Sequence, residues 1–147
     1  MADRQDASSC AFCRIVRGEV QAPTVWSDAQ TLAFLDHRPL FPGHTLVVPR
    51  AHREALRDLA RDEFEPLLRA AQVVSAAMGE VLASDGTFVA LNDRVSQSVP
   101  HVHLHVVPRR KGDGLRGFFW PRHKYSNDEE AAALAAKLRG AVAKLDS

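Results

Sequence analysis

The residues best suited to chemistry are His101, His103 and His105, in the run His101-Val102-His103-Leu104-His105-Val106-Val107-Pro108-Arg109. Successive side chains of a strand point to opposite faces, so a strand here puts the three imidazoles on one face and Val102, Leu104 and Val106 on the other. The aliphatic face belongs in a core. The imidazoles, about 6.5 to 7 Å apart along the strand, are left for chemistry. Imidazole has an unperturbed pKa near neutrality, so such a row can supply a nucleophile, a proton donor and a ligand together. A single strand histidine is ordinarily a half-exposed pairing residue, but three on one face depart from the branched aliphatics and aromatics that strand interiors favour. A metal-binding H-x-H row is the competing reading. Cys10 and Cys13, the only cysteines, form a C-x2-C pair with three readings: half a zinc site, a redox pair or coincidence. A thioredoxin-like pair follows an apolar strand, whereas a polar tail precedes this one, so zinc is favoured and two further ligands must come from elsewhere. The basic cluster Arg109-Arg110-Lys111 is suited equally to attracting a phosphate and to ending a strand in solvent.

These residues need elements to hold them. Phe12, Ile15 and Val16, closed by Gly18, predict one or two helical turns over Cys10 to Val16. Thr24-Val25-Trp26 and Thr31 to Leu35 predict a hairpin around Ser27-Asp28, and His44 to Pro49 a third strand after the Pro42-Gly43 turn. His52 opens the next segment, with a short helix over Glu54 to Leu59. Asp62-x-x-Glu65 has the form of a capping box before a long amphipathic helix ending before Asp85-Gly86, with Pro66 in its first turn, where proline is tolerated. Thr87 to Leu91 and Val102 to Val107 predict the last two strands, joined by a polar loop from Asn92 to Pro100. Ser126-x-x-Glu129 caps a final helix with the stripe Leu134, Ala135, Leu138, Val142 and Leu145. Five strands and two main helices, not strictly alternating, indicate an α+β fold with a mostly antiparallel sheet.

A chain of 147 residues with 46% apolar content is expected to form a single domain over 1–147, with residues 1–9 as a disordered tail and 114–147 as an aromatic segment and helix. Lys plus Arg number 19 against 18 Asp plus Glu, and the charges are scattered, so neither a nucleic-acid partner nor a membrane is expected. The polar start has no apolar leader, which predicts a cytoplasmic protein. Phe118, Phe119, Trp120 and Pro121 are too aromatic for an idle loop, and a structural or interface role ranks ahead of direct ligand contact.

The pattern His-φ-His-φ-His-φ-φ, where φ is apolar, is met throughout His101 to Val107, and here the chain resembles the histidine-triad (HIT) family of nucleotide hydrolases and transferases. The resemblance runs from Cys10 to about Tyr125. It includes Cys10-x-x-Cys13 with Gly18-Glu19, as in the bacterial type with an N-terminal zinc site, then Ala33 to Asp36, Pro42-Gly43-His44, Val47-Val48-Pro49 with His52, and Gln97-Ser98-Val99. It implies a homodimer whose sheet extends across both subunits, binding a purine nucleotide and attacking its α-phosphorus. It places the nucleophile at His103, donors to the phosphate at His105 and Ser98, and at His44 a residue that orients the nucleophile or sets its proton state. Asp36 matches the residue that holds the ribose hydroxyls, since a carboxylate can accept both. Asn92 and Gln97 match polar positions along the phosphates. Phe12, Ile15, Phe34 and Leu35 are candidates for an apolar slot around the base, and core packing explains them equally well. The resemblance completes a structural zinc site from Cys10 and Cys13 with His52 and His101. Two departures stand out. The loop Asn92 to Ser98 is short, and Ser96 stands where relatives often place glycine before the glutamine. His37 and His123 match no family role and are expected at the surface.

The expected function is therefore hydrolysis at the α-phosphorus of a purine nucleoside phosphoramidate or dinucleoside polyphosphate through a nucleotidyl-histidine, releasing a nucleoside monophosphate. The alternatives are a phosphorylase or nucleotidyltransferase, a non-catalytic nucleotide-binding module, and a metalloenzyme with the whole triad on zinc.

Overall fold

The computed structural model describes residues 7–115 and 122–146. The aromatic cluster Phe118 to Pro121 and residues 1–6 of the expected tail lie outside the described residues. Two compact units are present, Met1–Asp113 and Gly114–Ser147.

In the first unit, helix α1 (Ala11–Val16) precedes strands β1 (Thr24–Ser27), β2 (Thr31–Leu35) and β3 (Thr45–Pro49), then helix α2 (Arg61–Leu82), β4 (Gly86–Ala90) and β5 (Leu104–Arg109). The sheet has the order β1-β2-β3-β5-β4, and every neighbouring pair is antiparallel. The expected α+β fold with a five-stranded antiparallel sheet is thus present, with three α-helices among the described residues.

Both faces of the sheet are used. On one, Leu67, Ala70, Ala71, Val74 and Met78 of α2 pack on Ala33, Val47, Val102 and Val106. Their three- and four-residue spacing is the apolar stripe of a surface helix. On the other, Phe12, Cys10 and Cys13 pack with Leu32, Phe34, Leu46 and Val48. This explains why β2 is buried from Thr31 through Phe34 rather than alternating in and out of solvent. Because α1 is only six residues long, it covers only part of its face.

The triad enters the sheet later than the alternation predicts, since β5 begins at Leu104. Val47 pairs with Leu104 and Leu46 with His105, and β3 then runs into Pro49, which has no N–H to continue a ladder. Val102 instead donates to the Arg53 carbonyl at 2.7 Å. The expected helix over Glu54 to Leu59 is a single 3-10 turn, Leu56–Asp58. The start of α2 also differs. Its N-cap is Ala60, whose N–H donates to the Glu63 carboxylate at 2.7 Å, two residues before the Asp62/Glu65 box. Glu63 also pairs with Arg53 at 3.0 Å, a second anchor that fixes this register. Of the expected tail, Ala7 and Ser8 are held through their carbonyls by Arg17, at 3.0 and 3.3 Å.

In the second unit, helix α3 (Asp128–Leu145) is capped by Asn127 rather than Ser126. The Asn127 Oδ1 accepts the Glu130 N–H at 2.8 Å, and the Glu130 carboxylate accepts from the Ser126 N–H at 2.6 Å. The cap thus lies one residue downstream of its expected place, and the Glu130 carboxylate reaches back one residue beyond it.

Candidate functional site

One cluster lies where α1 meets the segment before β5. Cys10 is the N-cap of α1 and Cys13 lies one turn on, so both thiols share a helix face. His101 Nδ1 stands 3.4 and 3.5 Å from the two sulfurs, and His52 Nδ1 stands 3.2 Å from Cys13 Sγ. The His101 Nε2 is 2.8 Å from the Pro49 carbonyl. A carbonyl only accepts, so Nε2 carries the hydrogen and the Nδ1 lone pair faces the thiols. Burial holds the His101 pKa down at about 4, against the pull of that carbonyl, and burial raises the Cys13 thiol to about 11, with Cys10 adding and Arg17 opposing. A four-coordinate ion bonded to sulfur at about 2.3 Å and nitrogen at about 2.0 Å sets S···N near 3.5 Å. The donor atoms of Cys10, Cys13, His52 and His101 all lie within 4.8 Å of one another. The set fits a tetrahedral metal, whose charge would favour the thiolates that burial disfavours.

The second cluster lies along β5. His103 Nδ1 donates to the His101 carbonyl at 2.7 Å, which leaves the Nε2 lone pair free. His105 Nδ1 is 3.0 Å from His44 Nε2, and His44 Nδ1 accepts the Leu40 amide hydrogen at 3.1 Å. An amide N–H only donates, so in neutral His44 the hydrogen is on Nε2. It is donated to His105 Nδ1, and His105 Nε2 carries the outward hydrogen. Burial lowers the pKa of all three rings. For His44 Asp36 opposes the shift, and for His103 the His101 carbonyl and Asp36 oppose it. His105 falls to about 4, with the charges of His103 and His44 adding to burial. His44 was expected to act on the nucleophile; its hydrogen bond goes instead to His105.

The loop from Asp36 to His44 makes this arrangement possible. Asp36 Oδ1 accepts the Arg38 N–H at 2.9 Å, and the Asp36 N–H donates to the His44 carbonyl at 2.9 Å. Gly43 sits at φ +101°, where a Cβ would also come within 2.5 Å of Leu82 Cδ1, so the turn before His44 demands glycine.

A cavity of about 590 Å³ opens beside this cluster. Phe12, Ile15, Phe34 and Leu35 form apolar walls, and Asp36, Ser98, His103 and His105 supply polar groups. Phe12 stands edge-on to both His103 and Phe34, at ring separations of 5.0 and 5.4 Å. Its place on the wall of the cavity answers whether it is only core: it is both.

Residues 17–112 match the family model for the HIT domain. The chain belongs to the HIT family. An uncharacterised HIT-like protein of Mycobacterium tuberculosis is 36% identical over 143 residues, covering 94% of this chain and 96% of that one. The adenosine 5'-monophosphoramidase of Schizosaccharomyces pombe is 31% identical over 135 residues, covering 91% and 98%. The structure of a Zn-bound histidine triad family protein from Mycobacterium smegmatis matches with a TM-score of 0.71 at 37% identity, covering 92% of this chain and 99% of that one.

Two HIT motif positions fall elsewhere than expected. Gln97 does not line the cavity: its amide donates to the Glu54 carbonyl at 2.7 Å and accepts the Arg94 N–H at 3.0 Å, so it ties down its own loop. Asn92 is exposed and likewise off the cavity wall. Ser96 takes φ +58°, so the backbone keeps the left-handed turn that a glycine would adopt without strain. Arg14, Val20, Gln21 and His37 also line the cavity, and motif matching found none of them. For His37 the available signal was its place beside Asp36. No helix among the described residues is long and apolar enough to cross a membrane.

Proposed function

We propose that this HIT protein hydrolyses a purine nucleoside phosphoramidate or dinucleoside polyphosphate at the α-phosphorus, through a nucleotidyl intermediate on His103. The observation that carries this reading is the His103 Nδ1–H donated to the His101 carbonyl, which leaves Nε2 as an unprotonated nucleophile beside the cavity. Nε2 bonds to phosphorus while the bond to the leaving amine or phosphate breaks, the departing group taking the electron pair. A departing amine takes its proton from solvent. The imidazolium so formed is stabilised through its Nδ1–H at the same carbonyl, and His105 Nε2–H and Ser98 donate to the phosphate oxygens. Water then attacks phosphorus and releases a proton, and Nε2 departs with its lone pair to give the monophosphate. Asp36 accepts from the ribose diol, and Phe12, Ile15, Phe34 and Leu35 flank the base.

Cys10, Cys13, His52 and His101 would hold zinc as a structural ion that pins α1 to the triad segment. Two features support a homodimer. Strand β4 is last in the strand order, with Val89 43% exposed, and α2 exposes Phe64 and Leu68 at 50% and 65%, apolar area suited to a second copy.

The test is rapid-quench kinetics with adenosine 5'-phosphoramidate. The expected result is an acid-labile adenylyl-protein that forms in wild type and is absent in His103→Asn. Turnover with no covalent species, or full activity in the variant, removes His103 as nucleophile.

A further inference from the structure

The exposed imidazole of His37 is the one histidine on the cavity wall that the reaction above does not use. Its side chain is 89% exposed, against 15% for Asp36, and His37 Nδ1 stands 3.8 Å from Asp36 Oδ1. That gap is too long for a direct hydrogen bond, yet one hydroxyl oxygen fits between the two atoms at about 2.8 Å from each. Asp36 lines the cavity and is held in place by the Arg38 N–H at 2.9 Å from Oδ1, which leaves a second lone pair on that oxygen for a ligand, while Oδ2 stands 3.7 Å from His44 Nε2. A carboxylate only accepts, so a sugar hydroxyl that donates to Asp36 keeps its own lone pairs free. An imidazole whose other nitrogen faces water can place its hydrogen on Nδ1 and donate to such a lone pair. We infer that His37 and Asp36 together clasp one ribose hydroxyl, as donor and acceptor, and make His37 a specificity-determining residue that selects ribose over deoxyribose.

This rests on the nucleotide reading above, deepening its sugar subsite. A site that both donates to and accepts from a hydroxyl discriminates against the analogue lacking it more strongly than one that only accepts, because both partners lose their bond. The exposed ring also retains access to water, so the contribution is modest, about three- to tenfold.

The experiment compares kcat/KM for adenosine 5'-phosphoramidate with its 2'-deoxy and 3'-deoxy analogues in wild type, His37→Ala, His37→Gln and His37→Phe. Direct binding of AMP and of the two deoxy monophosphates is measured alongside. In His37→Ala the preference for ribose over one of the two analogues is expected to fall about three- to tenfold. Gln, which can still donate, is expected to restore part of it, and Phe, which offers only a ring, none. An unchanged preference in His37→Ala, or a preference restored by Phe, overturns the clasp. If wild type binds no adenosine monophosphate, the nucleotide reading itself fails, a result separable from any change in sugar preference.

Discussion

The two ends of the triad segment carry clusters that distances alone do not separate. Cys10, Cys13, His52 and His101 place their donor atoms within 4.8 Å of one another, and so do Asp36, His44 and His105. The difference lies in the far nitrogen of each ring. At His101, Nε2–H is held by the Pro49 carbonyl, so a lone pair points into the cluster. At His44, Nδ1 is held by the Leu40 N–H, so a hydrogen points into the cluster. The first can hold a cation. The second aligns hydrogens for donation and blocks its own central nitrogen from a metal. Ring spacing proposes a site, and the backbone group behind each ring decides its chemistry.

The largest effect is expected at the residue between the clusters. His103→Ala is predicted to lower kcat by about 10⁴-fold or more, with AMP binding kept within about tenfold. Single-turnover kinetics and equilibrium binding check this; a loss confined to binding would leave the segment with no catalytic centre.

The next break falls on the metal end. Cys13→Ser is predicted to lose bound zinc and to lower Tm by about 10 °C, because it removes a ligand from a buried cluster. Turnover per folded molecule should change far less than in His103→Ala. Metal content and thermal unfolding read this directly. Cobalt sharpens the contrast: one equivalent per chain with thiolate charge-transfer bands is expected. A second tight equivalent that survives Cys13→Ser would make the His44 end a cation site too.

At the hydrogen-donating end, His44→Phe removes the partner that holds His105 in its Nδ1-accepting tautomer. A kcat loss of about 10²-fold is predicted, typical of one lost donor to the reacting phosphate, with little change in Tm. Wild-type kcat in this variant would mean that His105 keeps its orientation unaided.

The strand pattern and the triad made most of the fold legible. The aliphatic face of His101 to Val107 does meet a helix, and Leu67, Ala71, Val74 and Met78 of α2 pack on it at the expected helical spacing, while the apolar Phe64, Leu68 and Val81 of the same helix are exposed. The helix starts were misplaced where a carboxylate had a second partner or a neighbouring amide to choose from, as at Glu63 and Glu130. Gln97 shows the limit of matching by motif. Its residue type suits phosphate, but two backbone groups of its own loop occupy the amide, and linear sequence does not record which carbonyl folds back within reach. The tautomers were hidden for the same reason, since Pro49 lies 52 residues from His101.

The smallest effect comes from acid. His105 titrates at about 4 in the folded chain and near 6.5 when unfolded. Between those values the unfolded chain binds the extra proton, so stability rises with pH there. The contribution of a neutral His105 is therefore complete above about pH 6.5, declines as pH falls toward about 4, and is lost below. Metal release at His101 and the titration of His44 also contribute to acid unfolding, so the measurement is a difference. Tm of wild type and His105→Asn is followed from pH 7.5 to 4.5 with zinc held constant. Because the ring is only partly buried, its share is discounted to about 1 kcal/mol, or roughly 4 °C of extra loss in wild type. Parallel curves would mean that folding does not lower the His105 pKa. The ring would then charge near pH 6.5 in the folded chain too, its acceptor bond from His44 would not survive mild acid, and the distinction between the two clusters would be lost there.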